Sequence, residues 1–266
     1  MKRVSLLLMV SLVSAGAGPR DALLRARQSY NRQQYDAAIE AALEARGAPE
    51  LADAAGLVLA RAHLERFRQS ADSADRTAAR EALTSIDPTR LGPADRFELI
   101  VGLGESLYFD DEFGAAVEQF DLALGHAEGY DPSVRERLLD WWASALDRQA
   151  QPAPVPQQGP LYTRIVRKME EELRRNPGSA AASYWLVAGA RGSGDLERAW
   201  DAAIAGWVRA PMAGDRRSAL RADLDRIVQV IIPERARQTS PPGESAQAIT
   251  AMRVEWDVLK QTWADR

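Results

Sequence analysis

Apolar residues recur three and four positions apart along most of the chain, the spacing that places them on one face of a helix. Leu23, Ala26 and Tyr30 form one such face. After a turn at Asn31 to Gln34, Tyr35, Ala38, Ile39, Ala42 and Ala45 form another, stopped by Gly47 and Pro49. The spacing predicts a helical hairpin over residues 20–46. A second hairpin, 50–87, begins with Leu51, Ala55, Val58 and Ala62 on one helix face. It turns through the polar stretch 69–76, returns over 77–86 and closes at Asp87-Pro88. Pro93 opens a third hairpin, 94–127, at a first-turn position where the missing N–H costs nothing. In the fourth, 131–175, two helices flank Gln151 to Pro160, which reads as an extended connector because proline removes donors and clashes with the preceding turn. The fifth, 180–210, turns at Gly192-Ser193-Gly194. Residues 215–232 carry Leu220, Leu224, Ile227 and Ile231 on one face, and Pro233 is expected to end that helix. Over 233–266, a loop at 239–244 precedes a last helix bearing Ile249, Met252, Trp256, Leu259 and Trp263. That helix reads as a cap for the open core of a stack, with homodimerisation through it as the alternative.

Two hairpins share a finer pattern. Ile100, Leu103, Gly104 and Leu107 precede Ala116, Phe120 and Ala123. Leu186 and Ala190 precede Ala199, Ala203, Gly206 and a closing Pro211. Small residues recur each turn on the second helix, where a neighbour must come close. These residues resemble the tetratricopeptide (TPR) family, whose repeat is a helix-turn-helix of about 34 residues. Tyr35-Asp36-Ala37-Ala38-Ile39 is similar to its most recognisable string, and Asn176-Pro177-Gly178 to its inter-repeat turn. The resemblance covers about half of residues 18–266 well; residues 50–90 and 131–175 have irregular turns.

The resemblance implies an all-α fold, a right-handed α-α superhelix of TPR-like helical hairpin repeats over 18–232 with C-terminal capping helices. It also implies a concave groove lined by the first helix of each hairpin. The family's groove positions, carried onto this chain, are Gln28, Asn31 and Arg32 in the first hairpin. They are Glu98, Glu105, Tyr108 and Phe109 in the third, and Tyr184 and Arg191 in the fifth. This set is mixed in sign, so capture of a peptide C-terminus by a cluster of cations in that groove is not supported.

Composition narrows the function. The hydrophobic share is 46% with only 5 Phe and 6 Tyr, so much of it is alanine, the best helix former. There are 34 basic and 38 acidic residues, a net charge of −4. That balance favours neither nucleic acid nor an anionic membrane surface as partner. Cysteine is absent, which excludes thiol catalysis, disulfides and cysteine metal sites. Residues 1–17 combine a basic start (Lys2, Arg3), the apolar run Val4 to Val13, and Ala15 and Ala17 placed as a cleavage site. This is the three-part secretory signal pattern, too short to span a bilayer. No lipobox cysteine follows it. A periplasmic or secreted location is therefore expected, with no membrane span after cleavage.

The search for chemistry yields no catalytic, cofactor or metal residues. His63 and His126 lie on different hairpins and read as helix-surface residues. Asp110-Asp111-Glu112 lacks the spacing and glycine of a calcium loop and reads as a helix-helix turn. Gly189 to Gly194 lacks the lysine and preceding strand of a phosphate loop. Glu105-Ser106 is similar to the Glu-Ser of lytic transglycosylases, but their other signatures are missing. The expected function is a non-enzymatic TPR-like adaptor or scaffold of the bacterial cell envelope, binding a peptide or protein segment. One alternative is a small-ligand or glycan-binding accessory protein that uses the tryptophans, among them Trp141, Trp142, Trp185, Trp200 and Trp207. The other is a helical envelope hydrolase or lyase with an unrecognised acid.

Overall fold

The computed structural model describes residues 18–241 and 243–264, so the leader expected at residues 1–17 lies outside the described residues. Helix is the only regular secondary structure among them. The chain divides into two compact units, Met1–Gly102 and Leu103–Arg266.

The first unit holds α1 (Pro19–Asn31), α2 (Tyr35–Arg46), α3 (Ala52–Ser70), α4 (Ser73–Thr84), a short 3-10 turn and the start of α5 (Pro93–Phe109). α1 packs on α2, α2 on α3 and α3 on α4, and α1 also touches α3. Its core is built on alanine: Ala22, Ala26, Ala38, Ala42, Ala45, Ala55, Ala60 and Ala62 have no exposed surface. A methyl side chain lets helix backbones approach closely and loses no rotamer freedom on burial. The α1–α2 turn closes with Gln34 N–H donating to the Ser29 carbonyl, and Gln33 takes the left-handed conformation (φ 60°) usual for glycine there. The expected long turn at 69–76 is much shorter. Ala71 turns the chain at φ 56° and α4 begins at Ser73, because the Asp72 carboxylate accepts the Ala74 N–H at 2.9 Å.

The second unit continues with α6 (Phe113–Gly125), α7 (Pro132–Ala150), α8 (Val155–Arg175), α9 (Ala180–Gly192) and α10 (Leu196–Arg209). A 3-10 segment (Ala210–Arg216), α11 (Arg217–Thr239) and α12 (Ser245–Thr262) complete it. Successive helices from α6 onward pack in pairs, and α9 touches α7 and α11 as well as α8 and α10. The Leu103-Gly104 pair sits against α6: a Cβ added at Gly104 would lie 2.7 Å from the Phe120 ring.

Two proline expectations are corrected. Residues 155–160 are not an extended connector but the first turns of α8. Pro156 occupies the first turn, where no N–H is needed. Pro160 leaves only the Pro156 carbonyl without its helical partner, and both residues are exposed to water. The cost is offset further along, where Ile165 and Met169 are fully buried and Tyr162 and Val166 nearly so. Likewise α11 runs through Pro233 to Thr239. The freed carbonyl belongs to exposed Gln229, while the turn beyond is held by buried Ala236, by a Glu234–Arg191 pair and by Arg235 lying over the Trp200 ring.

The last helix lies against α11. Trp256 is fully buried, with ring centroids 5.3 Å from Trp207 and 5.9 Å from Trp200, and its indole N–H donates to Asp225 at 2.7 Å. Ile249, Met252, Leu259 and Trp263 of the same face are half-buried, and Val254 and Val258 on the other face are exposed.

Candidate functional site

The odd-numbered helices carry every residue that the family resemblance puts in a groove, except Arg32 just past the end of α1. In the first unit, Gln28, Asn31 and Arg32 are exposed at the end of α1. Glu98 on α5 lies 3.7 Å from the Arg61 guanidinium of α3, which also donates to the Tyr30 hydroxyl of α1 at 3.4 Å. Arg27 of α1 reaches both Asp95 carboxylate oxygens of α5, at 2.8 and 3.1 Å. Glu98 is thus one strut among α1, α3 and α5.

In the second unit Glu105 is buried, with 4% of its surface exposed, so its carboxylate sits inside the fold. The Tyr108 hydroxyl shares a 2.9 Å hydrogen bond with Ser144 of α7. Its ring meets Phe109, Phe113 and Trp141 edge-on, with centroids 4.9–5.9 Å apart. The Trp185 indole N–H of α9 donates to Asp140 of α7 at 2.8 Å. Arg191 of α9 holds both Glu234 oxygens of α11 at 2.7 and 2.8 Å. The hydrogen bonds it donates to Glu234 keep the Arg191 guanidinium above its usual range, against the opposing effect of burial. Tyr108 and Arg191 therefore tie odd-numbered helices together, and their polar groups are already engaged.

Tyr184 is different. It projects half-buried from α9, its ring edge against Trp185 at 5.3 Å. Burial raises its phenol pKa, and the charges of Asp223, Asp147 and Asp140 raise it further, with Arg226 opposing. These carboxylates come from α7 and α11, one on either side. Asp140 accepts from Trp185, Asp147 accepts from the Tyr162 hydroxyl at 3.0 Å, and Asp223 meets Arg226 of its own helix at 3.1 Å. Asp147 also accepts from the Gln151 amide at 2.7 Å, so both of its oxygens are engaged, whereas Asp140 and Asp223 each keep acceptor sites beyond the one bond named. The arrangement is an aromatic face in a negative field, which suits a cation. Sequence reasoning found Tyr184 but missed Asp140, Asp147 and Asp223, because their meeting depends on α7 and α11 both packing on α9.

The tryptophan wall envisaged for a glycan is mostly core. Trp142 and Trp256 have no exposed surface, and Trp185, Trp200 and Trp207 are 3–8% exposed. His63 is a buried-side residue rather than a surface one. Its Nδ1 lies 2.7 Å from Asp75, which is 3% exposed and also accepts from Arg66 Nε at 3.1 Å. Among the described residues no group of three or more His, Cys, Asp or Glu is placed to hold a metal ion, and no helix is long and apolar enough to cross a membrane. No protein-family model, curated protein or solved structure matches the chain.

Proposed function

We propose that the chain is an exported, non-enzymatic helical-repeat adaptor, its hairpins stacked in the right-handed TPR manner. It binds a protein segment on the face formed by α7, α9 and α11. The partner places a lysine or arginine over the Tyr184 ring, between Asp140, Asp147 and Asp223. What supports this reading is the half-buried Tyr184 itself, whose phenol pKa is raised first by burial and then by the charges of Asp223 on α11 and of Asp147 and Asp140 on α7. Cation–π attraction and unspent carboxylate acceptors reinforce each other there. The cell envelope remains the proposed setting, from the leader pattern at residues 1–17.

The test is an array of random twelve-residue peptides probed with the full chain, wild type beside Tyr184→Ala and Asp223→Asn. The reading expects retained peptides enriched in lysine and arginine, with signal falling at least tenfold in Tyr184→Ala and on raising salt. Retention with no basic preference, or one indifferent to both substitutions, would defeat it.

A further inference from the structure

On the other side of α9 from Tyr184, α8 and α10 border a cleft of about 790 Å³. Leu186, two residues from Tyr184 and so about 200° around the helix, lines it together with Leu173 and Ala205. Three arginines line it. Arg198 is taken by Glu170. Arg174 and Arg209 have no ionic or hydrogen-bonding side-chain partner among the described residues. The Arg209 Nε is buried without an acceptor, and burial lowers the guanidinium's pKa with no carboxylate near enough to oppose it. Arg209 is half-buried, so its Nε is shut off from water while the rest of its guanidinium can still meet an acceptor in the cleft.

The acidic residues of the cleft are distributed differently. Asp195 is used as the α10 N-cap, accepting the Arg198 N–H at 3.0 Å. Glu197 and Asp201 are exposed nearer the start of α10, and neither has an ion-pair partner among the described residues. The opposite end is fixed by a close approach: a Cβ added at Gly178, just past α8, would collide with the Met212 carbonyl oxygen, just past α10. The C-terminal ends of α8 and α10 approach each other there, and Arg174 and Arg209 are the cleft residues nearest those two ends in sequence. Asp201 and Arg209 are eight residues apart on one helix, a rise of about 12 Å. Four steps of extended chain cover about 13 Å.

We propose that this cleft is a second binding site, for an extended protein segment of opposite charges at its two ends. A glutamate or aspartate side chain of the segment lies between Arg174 and Arg209. A lysine or arginine four residues away meets Glu197 and Asp201. Apolar residues between them cover Leu173, Leu186 and Ala205. Polyanions are rejected by the acidic end. The site stands on the charge pairing within the cleft and does not depend on the Tyr184 face.

The test uses pentapeptide libraries with both termini blocked and the middle three positions randomised, passed over the immobilised full chain. One library carries lysine and glutamate at its ends, in either order. Two others replace the lysine or the glutamate with glutamine. The doubly charged library is expected to be retained at least tenfold over either control. Arg209→Gln should abolish the preference for glutamate over glutamine, and Asp201→Asn should weaken that for lysine. Arg209→Glu should reverse the first preference, retaining the library with glutamine in place of glutamate over the doubly charged one. Because Arg209 is unpaired, Arg209→Gln should melt no lower than wild type, which an arginine kept for structure would not allow. Tyr184→Ala should leave all of these preferences unchanged. Equal retention of charged and neutralised libraries, whether high or absent, overturns the proposal. So does a charge preference that survives Arg209→Gln.

Discussion

The two units follow the same order of short antiparallel helices, yet they are held together by different means. Both bury many alanines and both carry buried polar groups, but the first has no tryptophan and relies on alanine and aliphatic packing crossed by polar struts such as Arg61, 7% exposed, and Asp75, 3% exposed. All seven tryptophans of the chain fall in the second. There the indole N–H groups of Trp185 and Trp256 reach aspartates on neighbouring helices, Asp140 and Asp225. Alanine packing needs little more than backbone approach, so specificity must come from charged groups folded into the interface. Indole packing supplies both area and one directed donor per ring. The carboxylates recruited to satisfy those donors lie at helix edges. Asp140 shows the consequence: it anchors Trp185 and is also one of the three acids around Tyr184. In the second unit the core and the candidate site share residues.

The strongest test of this contrast is Trp256→Ala. It removes a fully buried indole, its contacts with Trp200 and Trp207, and the Asp225 hydrogen bond, and should cost about 4 kcal/mol in denaturant unfolding. Trp256→Phe keeps most of the apolar area and should cost markedly less. Equal losses would mean the N–H bond, not ring packing, holds α12. The counterpart in the first unit is Asp75→Ala, which leaves His63 beside a buried gap and Arg66 with only its exposed partner Asp36, and should cost about 3 kcal/mol. If Asp75→Ala proves harmless, the polar struts of the first unit are not what stabilises it.

Much of this organisation was legible in the chain, and the gaps have physical causes. Helical spacing with its glycine and proline stops recovers α2 near Tyr35–Arg46 and α10 at Leu196–Arg209. It fails at Pro160 and Pro233. A local reading registers the lost hydrogen bond but not the later burial of Ile165 and Met169, or the Arg235 contact with Trp200, that outweighs it. His63 was misread for a related reason: its partner Asp75 lies in a stretch that looks like a turn. At the candidate site, the family's groove positions fall on odd-numbered helices at Glu98, Tyr108 and Arg191. Only distances reveal that they are struts. The acids around Tyr184 sit on separate helices, so no spacing in the chain joins them.

A smaller effect in the second unit is a dependence of stability on pH. The Tyr162 phenol is pushed up to about 12, first by burial and then by Asp147, whose carboxylate accepts its proton in a hydrogen bond. A tyrosine near 10 when unfolded and near 12 when folded contributes stability that is complete below pH 10. That contribution is lost as pH rises through 12, since the unfolded chain releases its proton first. Unfolding free energy should therefore fall between pH 10 and 12, and Tyr162→Phe should flatten that slope. An unchanged slope would show that Asp147 and Tyr162 are not coupled in solution.

The smallest expected effect bears on the struts themselves. Arg27 holds Asp95 with two hydrogen bonds, but the side chains are 45% and 28% exposed. Water competes for both groups, and ordering a long arginine side chain costs entropy. Arg27→Ala should cost about 0.5 kcal/mol and less at high salt, far below Asp75→Ala. The two variants differ in burial more than in bond number, so their ratio isolates burial as the source of strength. If Arg27→Ala instead costs as much as Asp75→Ala, the bridge from α1 to α5 is acting cooperatively with the Arg61–Glu98 and Arg61–Tyr30 contacts. A double variant with Glu98→Ala would then fall short of additivity. In that case Gln28, Asn31 and Arg32, at the free end of the helix that the bridge steadies, would be the part of the first unit to test next for binding.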